Sequence, residues 1–168
     1  VTDGTVEGTK SLGQTDAYYL QYGDQDYLDG YLYFSGSHTL GRSDGETIET
    51  VITHPDNYTV QMGTIGVTGS RITYTVEMSI EDENGDTTWS SQLRSYNPDN
   101  GEDITLIDGN TFYSYYDHTA IGDKRLFTRY TDDGNELWVT DGRTPANTWD
   151  LTIDASPDYH GTGQLTIT

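Results

Sequence analysis

The stretch Arg71-Ile72-Thr73-Tyr74-Thr75-Val76-Glu77-Met78-Ser79-Ile80 decides the fold. Apolar side chains fill the even positions and polar ones the odd, the period-two signature of a strand with one buried and one wet face. The run stops at Asn84-Gly85, a pair suited to the positive φ angles of a type I′ turn, and resumes as Thr87-Thr88-Trp89-Ser90-Ser91-Gln92-Leu93. That spacing predicts a β-hairpin.

Working outward, residues 125–130 and 136–140 pair as a second hairpin through Asp133-Gly134. Further strands are expected at 17–22, 31–35, 47–53, 58–63, 104–107, 111–116, 149–153 and 164–168. Turns rich in Gly, Asp and Asn separate them, and no stretch carries a helical period. Trp89, Trp138 and Trp149 sit among alternating strand residues and are expected in the core. The expected architecture is all-β: one domain over residues 1–168, a single jelly-roll-like β-sandwich of roughly ten to thirteen strands with calcium-binding loops. A β-propeller segment is the alternative, because Val1-Thr2-Asp3-Gly4, Arg42-Ser43-Asp44-Gly45 and Val139-Thr140-Asp141-Gly142 echo one another at blade-like intervals.

Of the 168 residues, 28 are Asp or Glu and only 8 are Lys or Arg, a formal net charge of -20. A surface of that sign repels phosphate backbones, which argues against nucleic acid as a partner. No apolar run approaches the ~20 residues of a spanning helix, which argues against membrane insertion. There is no cysteine, so neither a disulfide nor a thiolate metal site can form. Repulsion among so many carboxylates is relieved by cations, as salt or as bound divalent ions, although acidity also serves solubility alone. The 14 Tyr, 3 Trp and 3 Phe still supply enough apolar surface for folding. The chain opens on Val1 without a signal peptide and reads as a segment of a longer, extracellular or cell-surface protein.

Ca²⁺ takes about six to eight hard oxygens, which carboxylates and carbonyls on tight glycine-containing loops supply. Asp24, Asp26 and Asp29 alternate ahead of Gly30 and make the first candidate. Asp99, Asn100, Glu102 and Asp103 around Gly101 follow, then Asp82, Asn84 and Asp86, then Asp132, Asp133 and Asn135. None completes an EF-hand loop, and Asp, Asn and Gly in such runs also serve simply as turn formers. Tyrosines crowd near these acids, with Tyr27 and Tyr31 beside the first loop and Tyr113, Tyr115 and Tyr116 further on. Strand neighbours alternate faces, so one of each pair points to solvent, where a ring beside carboxylates stacks on a sugar or a peptide side chain. β-Propensity alone accounts for surface tyrosine equally well. His38, His54, His118 and His160 lack metal-ligand spacing, no Gly-x-Ser-x-Gly elbow occurs, and no carboxylate pair stands out as catalytic.

Pro157-Asp158-Tyr159-His160-Gly161-Thr162-Gly163-Gln164-Leu165-Thr166-Ile167-Thr168 resembles the closing strand of the cadherin-like and immunoglobulin-like repeats of giant bacterial adhesins of the RTX type. Val1-Thr2-Asp3-Gly4-Thr5 resembles the linker that follows that strand. Glu136-Leu137-Trp138-Val139-Thr140-Asp141-Gly142 is also similar to the Glu-Leu-Trp-x-x-Asp-Gly-Thr repeat of large secreted bacterial proteins. The adhesin resemblance implies linker carboxylates that bind Ca²⁺ and neighbouring repeats of the same chain as partners. Residues 13–150 depart from the standard repeat, which favours a specialised ligand-binding module. The expectation is an extracellular, calcium-dependent, non-enzymatic adhesin module for a cell-surface carbohydrate or peptide. A calcium-stiffened spacer or fibre subunit is the alternative, with a polysaccharide-degrading enzyme behind it.

Overall fold

The computed structural model describes residues 1–2, 4–14, 25–60, 65–81, 83–109, 118–131 and 134–143. Among them are twelve strands, arranged in three antiparallel sheets, and no helix. The first sheet runs β1 (Gln25–Leu28), β2 (Tyr31–Ser35), β3 (Thr39–Ser43) and β4 (Ile48–Thr53). In the middle sheet, β5 (Tyr58–Val60) and β6 (Gly66–Thr68) share one edge of β7 (Arg71–Glu81), followed by β8 (Thr87–Tyr96) and β9 (Asp103–Gly109). The last sheet holds β10 (His118–Ile121), β11 (Lys124–Thr131) and β12 (Gly134–Thr140). Strands follow chain order across each sheet, and no barrel closes among the described residues.

Both predicted hairpins form, but the turns differ from expectation. Glu81 pairs with Thr87, so β7 and β8 are joined by the longer connection 82–86, and Asn84 does not take the positive φ that a type I′ turn requires. That geometry occurs instead at Asp29-Gly30, with φ of 50° and 89°, inside the segment read as the foremost calcium loop. The segment is a hairpin, with β1 paired to β2. Strands β1, β3, β6 and β10 were not expected. The expected strands at 17–22, 111–116, 149–153 and 164–168, with Trp149 and the adhesin-like segment 157–168, lie outside the described residues.

The echoing sequence segments take up one local conformation. Gly45 N–H donates to Ser43 Oγ at 3.1 Å, Gly142 N–H to Thr140 Oγ1 at 3.0 Å and Gly4 N–H to Thr2 Oγ1 at 2.9 Å. All three glycines have positive φ, where a side chain is strained. Two of these turns directly follow the third strand of their sheets, β3 and β12. The first hairpin of each sheet is likewise closed by a two-residue turn, at Asp29-Gly30, Gly69-Ser70 and Gly122-Asp123.

The sheets pack in chain order. Tyr33 and Leu40 of the first sheet meet Ile72, Tyr74, Val76 and Tyr96 of the middle sheet in one buried cluster. Leu93, Leu106 and Ile107 meet Phe127 in a second. The middle sheet is therefore buried on both faces, which corrects the expected wet face of β7: Arg71, Thr73 and Thr75 are all buried. The last sheet covers them, and their polar groups are satisfied inside the interface. Thr73 Oγ1 bonds Thr68 Oγ1 at 2.9 Å and Gly66 O at 3.1 Å. Ser95 Oγ donates to Gly142 O at 2.5 Å, and Arg71 Nε donates to Ser95 Oγ at 2.8 Å.

Arg125 fastens the last sheet to the middle one. It is 3% exposed, and its Nη1 donates to Thr73 O at 2.9 Å and to Thr73 Oγ1 at 2.5 Å. The guanidinium lies over Gly66, where an added Cβ would stand 3.0 Å from its carbon, so a side chain there would have to displace it by a few tenths of an ångström. Burial lowers the Arg125 pKa to about 10, an effect opposed by the nearby charge of Asp26. Replacing Arg125 with Ala strands the Thr73 acceptors in a dry interface and is expected to cost about 3 kcal/mol in urea unfolding. Gly66→Ala should also destabilise the protein, by pushing the guanidinium off its partners.

Candidate functional site

The described members of the predicted calcium sets take separate roles. Asp26 is half-buried in β1, where Oδ1 accepts Tyr27 N–H at 2.8 Å and Oδ2 accepts Val67 N–H at 2.7 Å, a tie between the first and middle sheets. Asp29 is exposed in its turn. Between β8 and β9, Asn97 Oδ1 and Asn100 Oδ1 accept the Asp99 and Glu102 N–H groups, each at 3.0 Å. Two acids of that loop are drawn to guanidiniums: Glu102 pairs with Arg71 at 3.1 Å and Asp103 with Arg94 at 2.6 Å. Asn84 and Asp86 are exposed at the β7–β8 connection, and Asn135 stands in β12 opposite Tyr130. Asp24, Asp82, Asp132 and Asp133 lie outside the described residues, as do Tyr113, Tyr115 and Tyr116. Among the described residues, no group of three or more His, Asp or Glu could hold a metal ion.

The two remaining tyrosine candidates divide. Tyr31 is half-buried beneath the Arg42 guanidinium, 4.3 Å above its ring, in a cation–π contact. Tyr27 is 63% exposed on the outward face of the first sheet.

A buried polar cluster joins the first and middle sheets. Tyr74 donates its hydroxyl proton to Asp103 Oδ1 at 3.0 Å, and Arg94 grips Asp103 Oδ2 through Nε at 2.9 Å and Nη2 at 2.6 Å. His54, just past β4, shares a 3.3 Å hydrogen bond with the Tyr74 hydroxyl and stacks on Tyr58 at 5.8 Å. With the phenol proton committed to Asp103, His54 is the donor, in its neutral Nε2–H tautomer. Burial lowers the His54 pKa, Arg94 and His38 lower it further, and Asp103 opposes them. Burial, with the Asp103 charge beside it, pushes the Tyr74 hydroxyl far above its ordinary value. A histidine held below its ordinary pKa and a phenol held above its own join two sheets, and both groups are buried.

A different feature reaches into solvent. Strands β7 and β8 are the longest in the protein, and their outer ends leave the core as a two-stranded arm. Among the described residues, β9 pairs β8 as far as Ser91 and β5 pairs β7 to Met78, with Asn57 adding bonds to Ser79. Register puts Thr75 opposite Leu93, Glu77 opposite Ser91 and Ser79 opposite Trp89, all on the face that nearer the core meets the last sheet. Exposure rises along this column from Leu93 at 4% to Trp89 at 61%. Glu77, the diagonal neighbour of Trp89, is half-buried, and desolvation raises its carboxyl above the ordinary range. Trp89 thus departs from the expected core position, because the arm outruns the layers that would cover it. Trp138 does pack against the second core cluster. Strand length was the sequence signal for an exposed tip.

Comparison of the chain with known protein families, curated proteins and solved structures gives no match.

The His54 cluster predicts an acid-sensitive fold. A histidine held below its ordinary pKa of about 6.5 contributes stability that is complete above that pH and is lost as pH falls through the folded-state value. Urea midpoints should therefore drop between about pH 7.5 and 5. His54→Gln, which keeps a donor for Tyr74, should flatten that dependence.

Proposed function

We propose that the chain is an extracellular, non-catalytic recognition module, built as a run of blade-like sheets, that binds carbohydrate through the face of Trp89. The observation that carries this reading is an indole 61% exposed on a two-stranded arm. Burying such a ring against the core would be favourable, and an aromatic face held in water is the surface that pyranose C–H groups stack upon. Glu77, Ser79 and Glu81 stand on the same face of the arm and supply acceptors for sugar hydroxyls.

The sheet arrangement favours the propeller segment over the two-layer sandwich. Strand β1 lies against β6, and β6 against β10 and β11, so an edge strand of each sheet gathers with an edge strand of the next. Radial repetition of short meander sheets has this arrangement. The similarity to the Glu-Leu-Trp-x-x-Asp-Gly-Thr repeat gains support in turn, since Glu136 to Gly142 spans β12 and its hydroxyl-capped turn. Calcium is carried as part of this reading without an assigned ligand set, since no group of three or more His, Asp or Glu among the described residues could hold a metal ion.

A glycan array with wild type and Trp89→Ala, each with and without chelator, tests the reading. Wild type should bind a defined set of glycans, and Trp89→Ala should lose at least about tenfold in affinity with little change in thermal midpoint. Binding undiminished by the chelator removes calcium from the account and leaves the stacking site. Equal binding by Trp89→Ala removes the site itself.

A further inference from the structure

The exposed ring of Trp89 has an acid on either side and no basic residue near it in the chain. Ser79 stands directly opposite Trp89, so Glu77 and Glu81, two residues to each side of Ser79, are the diagonal neighbours of the indole on one face of the arm. Long side chains at such positions reach a ring that lies between them. From Arg71 to Arg94 the intervening chain holds five acids and neither Lys nor Arg. Glu77 is half-buried, has neither a hydrogen bond nor an ion pair among the described residues, and burial alone raises its pKa. Other acids withdrawn from water in this protein are matched: Arg94 holds Asp103 at 2.6 Å, and Asp26 accepts backbone N–H groups at 2.8 and 2.7 Å. A carboxylate taken from water without a counter-charge is unfavourable, and a bound cation relieves it. The same cation is attracted by the electron-rich face of the indole.

We propose that the sugar taken by the Trp89 face carries a protonated amine, as an oligomer of glucosamine does, with the pyranose on the indole and the ammonium directed to Glu77 and Glu81. The inference rests on Trp89 as a stacking site and adds the charge of the ligand. A pyranose chair stacks through its axial C–H groups, which leaves an equatorial amine at the rim of the ring, on the sides where register sets the two glutamates. Each carboxylate–ammonium contact is charge-assisted, and it is strongest at Glu77, where less water competes. An N-acetyl group in that place removes the charge, and a uronate brings a like one. A lysine side chain has the charge but no flat face, and sites for a bare ammonium enclose it with several rings. Positions 77, 79, 81, 87 and 91 on this face of the arm supply no second aromatic.

Isothermal titration at about pH 6.5, with tetramers of glucosamine, N-acetylglucosamine and galacturonate and with tetralysine, tests the proposal. Wild type should bind the amine-bearing tetramer at least about tenfold more tightly than the acetylated one. Trp89→Ala keeps the net charge of -20 and so reports the attraction of any polycation to the chain as a whole; it should lose at least about tenfold in affinity for the amine-bearing tetramer. Glu77→Gln and Glu81→Gln keep side-chain size and should each narrow the preference for amine over acetamide several-fold. Glu7→Gln, on the N-terminal segment, removes the same charge and should leave that preference unchanged. An acetylated or uronate tetramer that binds as tightly as the amine, and loses that binding in Trp89→Ala, overturns the charge selection and leaves the stacking site standing. Amine binding undiminished in Trp89→Ala, or tetralysine held through Trp89 as tightly as the glucosamine tetramer, overturns the proposal. A wild type that binds none of the sugars overturns both the proposal and the stacking site.

Discussion

Strand β7 is covered on both faces along its first six residues, and most of the molecule's organisation follows from that burial. A strand in this position has no side on which polar groups can reach water, so each must find a partner within the protein. On the face towards the last sheet, Thr73 receives Arg125, Arg71 reaches Ser95, and Ser95 in turn reaches Gly142. On the other face, the Tyr74 hydroxyl meets Asp103, which Arg94 holds, and His54 completes the cluster. Both interfaces thus combine a hydrophobic cluster with a small polar network. The apolar part drives association, and the polar part fixes how one sheet sits on the next, since a shifted register would leave a buried donor or acceptor unmatched.

The strong acidity of the chain takes on a more specific meaning in this setting. Arginine is scarce, yet Arg71, Arg94 and Arg125 all serve the faces of the middle sheet, two of them paired with a carboxylate. Two acids of the 97–103 segment, Glu102 and Asp103, meet two of those guanidiniums. A metal cage needs oxygens converging on one point. Strand geometry sends neighbouring side chains to opposite faces, and a turn sends them outward.

Two exposed surfaces differ in kind among the described residues. The arm is a local excess of strand length beyond the packed layers, and it carries a large aromatic ring into solvent. The outward face of the first sheet meets no other described sheet.

Period-two alternation at 71–80 and 125–130 is a property of neighbouring residues, so the all-β class and both central hairpins could be read from the sequence. The repeated Ser/Thr-Asp-Gly turn was legible for the same reason, its hydroxyl and its glycine being two residues apart. What lay on the far side of each strand could not be read this way. Polar Thr73 and Thr75 pass for a wet face until a second sheet covers them, Trp89 passes for core until its strand outruns that cover, and Asp29-Gly30 passes for part of a longer loop until β1 pairs with β2. Those outcomes depend on residues tens of positions away that supply hydrogen-bond partners and excluded volume, and only the tertiary structure brings such residues together.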